Sequence, residues 1–220
     1  MAIRFRNRTD AGDKLADRLR SARPPGEQQE PPVVLGLPRG GVPVAARVAE
    51  ALHAPLDVLV IRKVGVPWQA ELALGAVGEG GAKVLNRAII SSTGLSEDEV
   101  TALAAKAAEE VGRRVEHFRG GRDAVPLKGR EVILVDDGIA TGATMRAAVA
   151  VARARGARKV TVAVPVAAAQ STEGLAADDV VCLLLPRDLR GVGLWYVDFR
   201  QTGDDEVIDL LTQARASSGP

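Results

Sequence analysis

Aromatic rings are scarce in this chain: 220 residues hold two Trp, one Tyr and three Phe. So few stacking surfaces argue against a platform for single-stranded nucleic acid. The balance of 29 Lys and Arg against 28 Asp and Glu, a net charge of +1, also lacks the basic footprint of a nucleic-acid partner. The single cysteine, Cys182, cannot form an internal disulfide, and its setting in V-V-C-L-L-L reads as a small core hydrophobe. No apolar run approaches the ~20 residues of a membrane span. The charged start M-A-I-R-F-R-N-R has no apolar signal segment, so the expected location is cytoplasmic, with no membrane partner. Two nucleotide motifs are missing. No G-x-x-x-x-G-K-[ST] occurs, and Gly191-Val-Gly193 lacks the third glycine and the strand-to-helix setting of a dinucleotide fingerprint.

What is present is 46% apolar and 26% charged, which suits one α/β domain over 1–220. Its organising stretch is V-I-L-V-D-D-G-I-A-T-G-A-T-M, Val132 to Met145. Val132 to Val135 reads as a strand buried on both faces, as in a parallel sheet. Asp136 and Asp137 stand at its carboxyl end, where open α/β sheets bind ligands. The loop Gly138, Ile139, Ala140, Thr141, Gly142, Ala143, Thr144 opens a helix expected over Met145 to Arg155. Such a loop offers unpaired N–H groups and hydroxyls to an anion, helped by the helix dipole. A carboxylate pair beside an anion cradle suits vicinal hydroxyls together with a phosphate, as in a ribose 5-phosphate. Asp-Asp-Gly is also ordinary turn chemistry. A divalent-metal site on the pair would lack further ligands at useful spacing.

A second strand–loop–helix unit comes earlier. Val33 to Leu37 is a strand, Pro38-Arg39-Gly40-Gly41 a loop, and Val42 to His53 a helix. Arg39 supplies a cation suited to bidentate phosphate contact, although the loop could be a plain tight turn. Leu56 to Ile61 reads as a strand, with Arg62 and Lys63 at its end as a further cationic point or a solvated edge. Five glycines and Pro67 between Val64 and Gly81 read as a mobile β-rich segment in which Glu71 and Glu79 have no role beyond solvation or a remote metal contact. Ser96 to Glu99 is a capping box opening a helix to about Phe118; His117, like His53, reads as a charge complement at a helix end. Strands at Lys159 to Val164 and Val180 to Leu185 follow, and a last helix runs from Asp204 to about Ala214. At the start, Ile3 and Phe5 read as a short edge strand, and Asp10 or Asp13 as the cap of a helix to Arg20. Arg23 to Pro32 is a polar connector, and Ala216 to Pro220 should fray. Alternating strands and helices predict a doubly wound, mostly parallel sheet flanked by helices.

The organising stretch resembles the phosphoribosyl-pyrophosphate (PRPP) signature of type I phosphoribosyltransferases over about fourteen positions, and L-P-R-G-G looks like the pyrophosphate loop of that family. Bacterial proteins carrying this domain share both signatures. The resemblance implies a ligand, PRPP with Mg²⁺, and transfer of ribose 5-phosphate to a nitrogen acceptor, expected to be a nucleobase. Asp136 and Asp137 would hold the ribose hydroxyls and touch the metal only indirectly or weakly. Gly138 to Thr144 would hold the 5-phosphate, and Arg39, Gly40, Gly41, Arg62 and Lys63 the pyrophosphate. It also implies a flap over about 62–82 that closes over PRPP, and a hood from about 1–10 and 186–203 over the acceptor. Val192, Trp195, Tyr196 and Asp198 are the hood candidates, core packing being the default for the rings. A homodimer is implied as well.

Two departures from the family's 6-oxopurine enzymes stand out: Ala140 where they carry an acid, and Pro165-Val166 where they carry a base-contacting lysine. The alternative reading is a non-catalytic PRPP- or nucleotide-sensing protein on the same fold.

Overall fold

Alternate residues of the central strands feed two different cores in the computed structural model, which describes residues 4–22 and 30–217. The chain order is α1 (Arg8–Ala22), β1 (Val33–Gly36), α2 (Gly41–Leu52), β2 (Leu56–Val58), β3 (Ile61–Val66), β4 (Gln69–Gly78), β5 (Lys83–Leu85), α3 (Arg87–Thr93), α4 (Glu97–Arg119), β6 (Glu131–Val135), α5 (Ala143–Ala154), β7 (Lys159–Val166), α6 (Ala169–Thr172), β8 (Asp179–Leu184) and α7 (Asp204–Ser217). Val34, Ile133 and Val135 join α1, α2 and α7 on one face. Val33, Leu35, Val132 and Leu134 join α5 on the other. That period-2 split is why these runs are apolar throughout. Removing one such side chain, as in Leu134→Ala, should cost about 2–5 kcal/mol.

The main sheet has the order β2-β1-β6-β7-β8, and every pair in it is parallel. From β1 the chain moves outward to β2, and from β6 it moves the opposite way to β7 and β8. The crossover helices α2 and α5 lie on opposite faces, so the sheet is doubly wound with its switch point between β1 and β6. A second sheet, β3-β4-β5, is antiparallel. It packs Val64, Val66, Leu74 and Val77 on Ala104 and Ala107 of α4. No helix among the described residues is long and apolar enough to cross a membrane.

Several expectations need correction. The run from Leu56 to Ile61 is not one strand: β2 stops at Val58, Leu59 N–H bonds Gly36 O, and Val60 N–H is taken by the Glu79 carboxylate at 3.1 Å. The chain therefore leaves the parallel sheet, and Arg62 and Lys63 lie inside β3 instead of at a parallel-strand end. Glu79 is not solvated but 5% exposed, beside Arg119 (2.7 Å) and Arg155 (3.4 Å). Arg119 also binds Asp57 at 2.8 Å, so a buried ionic cluster ties β2, the C-terminus of α4 and the base of the β3–β4 hairpin together. The cap of α1 is Asn7, whose side chain accepts from Asp10 N–H at 2.9 Å; Asp10 instead accepts from Arg6 N–H. Helix α3, capped by Asn86, was not anticipated. The capping box at Ser96 is present as expected, and Cys182 is half-buried on the outer strand β8. Phe5 forms a lone bridge with Tyr196. Ile3, residues 23–29 of the connector and 218–220 of the tail lie outside the described residues.

Candidate active site

The site forms where β1 and β6 end side by side. Leu37 N–H donates to Val135 O at 2.9 Å, and Gly41 N–H to Leu37 O at 3.0 Å, which folds the Arg39 loop back onto the end of β6; the Pro38–Arg39 peptide is cis. A Cβ on Gly41 would stand 2.6 Å from Val135 O, and one on Gly40 would stand 2.1 Å from Asp137 Oδ2. Only glycine allows the two loops this close. The Arg39 guanidinium points elsewhere, 3.5 Å from Asp204 Oδ1 at the start of α7, where His117 Nε2 approaches Asp204 Oδ2 at 3.2 Å.

The two carboxylates have different partners. Asp136 Oδ1 accepts from Asp137 N–H at 2.9 Å. Asp137 Oδ2 accepts from Arg8 Nε at 2.9 Å and from Arg8 Nη2 at 2.7 Å. Burial, and then the charge of Asp137, push Asp136 well above the usual carboxylate range. Burial raises Asp137 too, with Arg8 opposing it. Tyr196 Oη donates to Asp137 O at 2.7 Å, and burial, then Asp137, raise its pKa.

The loop after the pair is stitched to the end of β7: Ile139 N–H donates to Val166 O at 2.9 Å, and Ala168 N–H to Ile139 O at 3.1 Å. From outside, Ser171 Oγ holds Ala140 O at 2.5 Å and Arg146 Nη2 holds Thr141 O at 3.2 Å. Gly142 has φ 76° and leads into α5. Arg146 N–H is the first in this helix to bond back, to Gly142 O, so those of Ala143 and Thr144 have no helical acceptor. Both residues are exposed, as are Ala140 and Thr141. The N-terminus of α5 thus exposes N–H groups without helical acceptors, an end where the helix dipole favours negative charge.

Of the expected site residues, Asp136, Asp137, Gly40, Gly41 and the 138–144 loop converge. Val192 joins them against Gly138, and Tyr196 through its hydrogen bond to Asp137 O. Phe5 N–H bonds Trp195 O at 2.8 Å, bringing the N-terminal segment to the 190s. Trp195 is half-buried. Asp198 faces Arg200 at 2.7 Å and Arg62 faces Glu110 of α4 at 2.8 Å, so neither side chain is turned to the pair. Lys63 neighbours Arg62 in β3 and is exposed. Arg8 is the residue that sequence reasoning missed. It lies 129 positions from Asp137, and its only local signal is an arginine alternation at 4, 6 and 8. Among the described residues no group of three His, Cys, Asp or Glu could hold a metal ion.

The family model of the phosphoribosyl transferase domain matches residues 6–199. A curated Mycobacterium tuberculosis protein named "Putative phosphoribosyl transferase" is 52% identical over 212 residues, which cover 96% of this chain and 47% of that one. The chain thus spans about half the length of the curated relatives it matches. The crystal structure of TT1426 from Thermus thermophilus superposes with a TM-score of 0.86 at 44% identity, covering 96% of this chain and 99% of that one. A Neisseria gonorrhoeae protein solved with bound ppGpp shares the fold at 14% identity, with a TM-score of 0.50 over 97% of each chain.

Proposed function

Because the chain belongs to the phosphoribosyltransferase family, whose domain model matches residues 6–199, we propose that it binds PRPP and transfers ribose 5-phosphate to a nitrogen acceptor with release of pyrophosphate. The observation that carries this reading is the meeting of Gly40 and Gly41 with Asp136 and Asp137 at the switch point of the sheet. This meeting supports reading the Arg39 loop as the pyrophosphate loop and the carboxylates as the groups that would take the ribose hydroxyls. The 138–144 loop then receives the 5-phosphate on the free N–H groups of Ala143 and Thr144 and on the Thr141 and Thr144 hydroxyls. Breaking the bond from C1 to the pyrophosphate oxygen sends the electron pair to the leaving group and leaves an oxocarbenium-like ring, which the acceptor nitrogen attacks, losing its proton to the departing pyrophosphate or to water. The carboxylate charge beside the ribose stabilises that ring, so catalysis is positioning and electrostatics, with no protein nucleophile.

The donor set suits Mg²⁺ held mostly by substrate oxygens and water, as this ion prefers. Asp136 Oδ1 is engaged by Asp137 N–H and Asp137 Oδ2 by Arg8; the remaining oxygens would serve the ribose hydroxyls, and the pair would reach the ion only indirectly. When bound, it neutralises charge on the pyrophosphate. Arg39, now beside Asp204, would turn to the pyrophosphate when PRPP arrives. Val192, Trp195 and Tyr196 would face the acceptor, and the 62–82 segment would close over the site and exclude water. A homodimer belongs to the same proposal, and sedimentation at working concentration tests it.

A second reading, a PRPP or nucleotide sensor without turnover, is favoured by Ala140 and by Pro165-Val166, which leave the acceptor side without an acid or a lysine. The deciding experiment measures pyrophosphate release from PRPP and Mg²⁺ across purine, pyrimidine and amine acceptors, beside calorimetric PRPP titration. Acceptor-dependent release supports the transferase, and binding without release supports the sensor. No binding, or unchanged binding in Asp136→Asn/Asp137→Asn, sinks the ribose assignment.

A further inference from the structure

We propose that Arg8 is a positioning residue of this site, one that locks the Asp137 carboxylate in the orientation that presents its free oxygen to the ribose; the inference rests on the PRPP reading above. Two nitrogens of the guanidinium, Nε at 2.9 Å and Nη2 at 2.7 Å, converge on the same oxygen, Oδ2. Oδ1 has no hydrogen-bond partner among the described residues. An aspartate held by one oxygen from the protein side keeps the other for a ligand hydroxyl.

Arg8 is itself held from three directions. Nη1 donates to Arg200 O at 2.7 Å, the guanidinium carbon lies 4.0 Å over the Phe199 ring, and the residue opens α1. Side-chain exposures of 12% for Arg8 and 15% for Asp137 leave little water to screen the pair. A planar, forked cation makes these contacts together, whereas a lysine would reach Asp137 from one point. Helix α1 packs on α2, where a Cβ on Gly12 would meet Arg47 Cβ at 2.8 Å, and α2 begins at the Gly40–Gly41 loop. Arg8 therefore sits between the segment around Phe199, the ribose carboxylates and the helix that opens from the pyrophosphate loop. It also cancels one of two adjacent negative charges that would otherwise repel a polyanionic substrate. Both effects have the same sign. Loss of Arg8 weakens PRPP binding through Asp137.

The test is a calorimetric double-mutant cycle with PRPP and Mg²⁺ on wild type, Arg8→Met, Asp137→Asn and the double variant, with Arg8→Lys beside them. Arg8→Met should weaken binding by about tenfold or more, Arg8→Lys by less, and the double variant should bind no more weakly than Asp137→Asn alone. Wild-type-like binding by Arg8→Met overturns the inference. So does an equal loss in the Asp137→Asn background, which marks a general structural effect. If Arg8→Met does not fold, Arg8→Lys measured in both backgrounds decides the coupling. A wild type that does not bind PRPP removes the functional reading and this inference together, whereas binding without coupling removes this inference alone.

Discussion

Arg119→Met should cost the protein about 3 kcal/mol or more. Arg119 is 3% exposed, and the carboxylates it joins, Asp57 and Glu79, are 1% and 5% exposed. Its Nε lies 2.8 Å from Asp57 and its Nη1 2.7 Å from Glu79, and Nη2 donates to Val58 O at 3.0 Å. Deleting one partner of a buried ion pair typically costs about 3–5 kcal/mol, because the remaining charge stays desolvated. Each carboxylate here keeps other donors, which argues for the lower end. Asp57 retains the N–H groups of Val58 and Val125 at 2.8 and 3.0 Å, and Glu79 retains Val60 N–H and Arg155. For a domain of this size ~3 kcal/mol corresponds to a fall of roughly 6–12 °C in Tm. Equilibrium urea denaturation followed by far-ultraviolet circular dichroism measures the loss. Neutralising the orphans in Arg119→Met/Asp57→Asn/Glu79→Gln should return much of it, since a buried ionic cluster adds little over a neutral one. A loss below about 1 kcal/mol, or a triple variant no more stable than the single, would refute the reasoning that the cost comes from unpaired buried charge.

Three further outcomes are expected. Asp136 is raised well above the ordinary carboxylate value of 3.8 by burial and then by Asp137. The native state thus keeps a proton that the unfolded state has lost, and stability from this group falls as pH rises from about 3.8 through the native value. Asp136→Asn should accordingly raise Tm at pH 8 but not at pH 4, while weakening PRPP binding; an equal shift at both pH values would contradict the linkage. Gly40→Ala puts a Cβ 2.1 Å from Asp137 Oδ2, so PRPP affinity should fall by about tenfold or more through displacement of that carboxylate, and titration matching wild type would count against the close approach. Burial pushes the Cys182 thiol up to about 11; alkylation at pH 8 should be on the order of 100-fold slower than in the denatured chain, and comparable rates would place the thiol in water.

How legible the molecule was depended on how local each signal is. The strand-loop-helix over Val132 to Ala154 could be read because burial on both faces demands a continuous apolar run and a glycine-rich turn must follow it. The capping box at Ser96 could be read because both of its hydrogen bonds span three residues. The break at Val58 could not, since Leu-Asp-Val-Leu-Val-Ile is equally apolar on either side and the group that ends the strand is Glu79, 19 residues away from Val60. Glu79 reads as a solvated acid in the sequence because nothing nearby announces Arg119, 40 positions on.

By itself, then, the sequence determined the α/β class, the two glycine loops, the adjacent carboxylates and the glycine–threonine loop that opens a helix after them, all of which follow from residue type and spacing within about fifteen positions. The order β2-β1-β6-β7-β8 was decided only in three dimensions, because it turns on which faces α2 and α5 bury. Tertiary structure alone also turned Arg39 toward Asp204 and Arg62 toward Glu110, and it brought Arg8 to Asp137 across 129 residues. The physical reason is common to all three. A long charged side chain takes whichever partner packing delivers, and packing is a property of the whole chain.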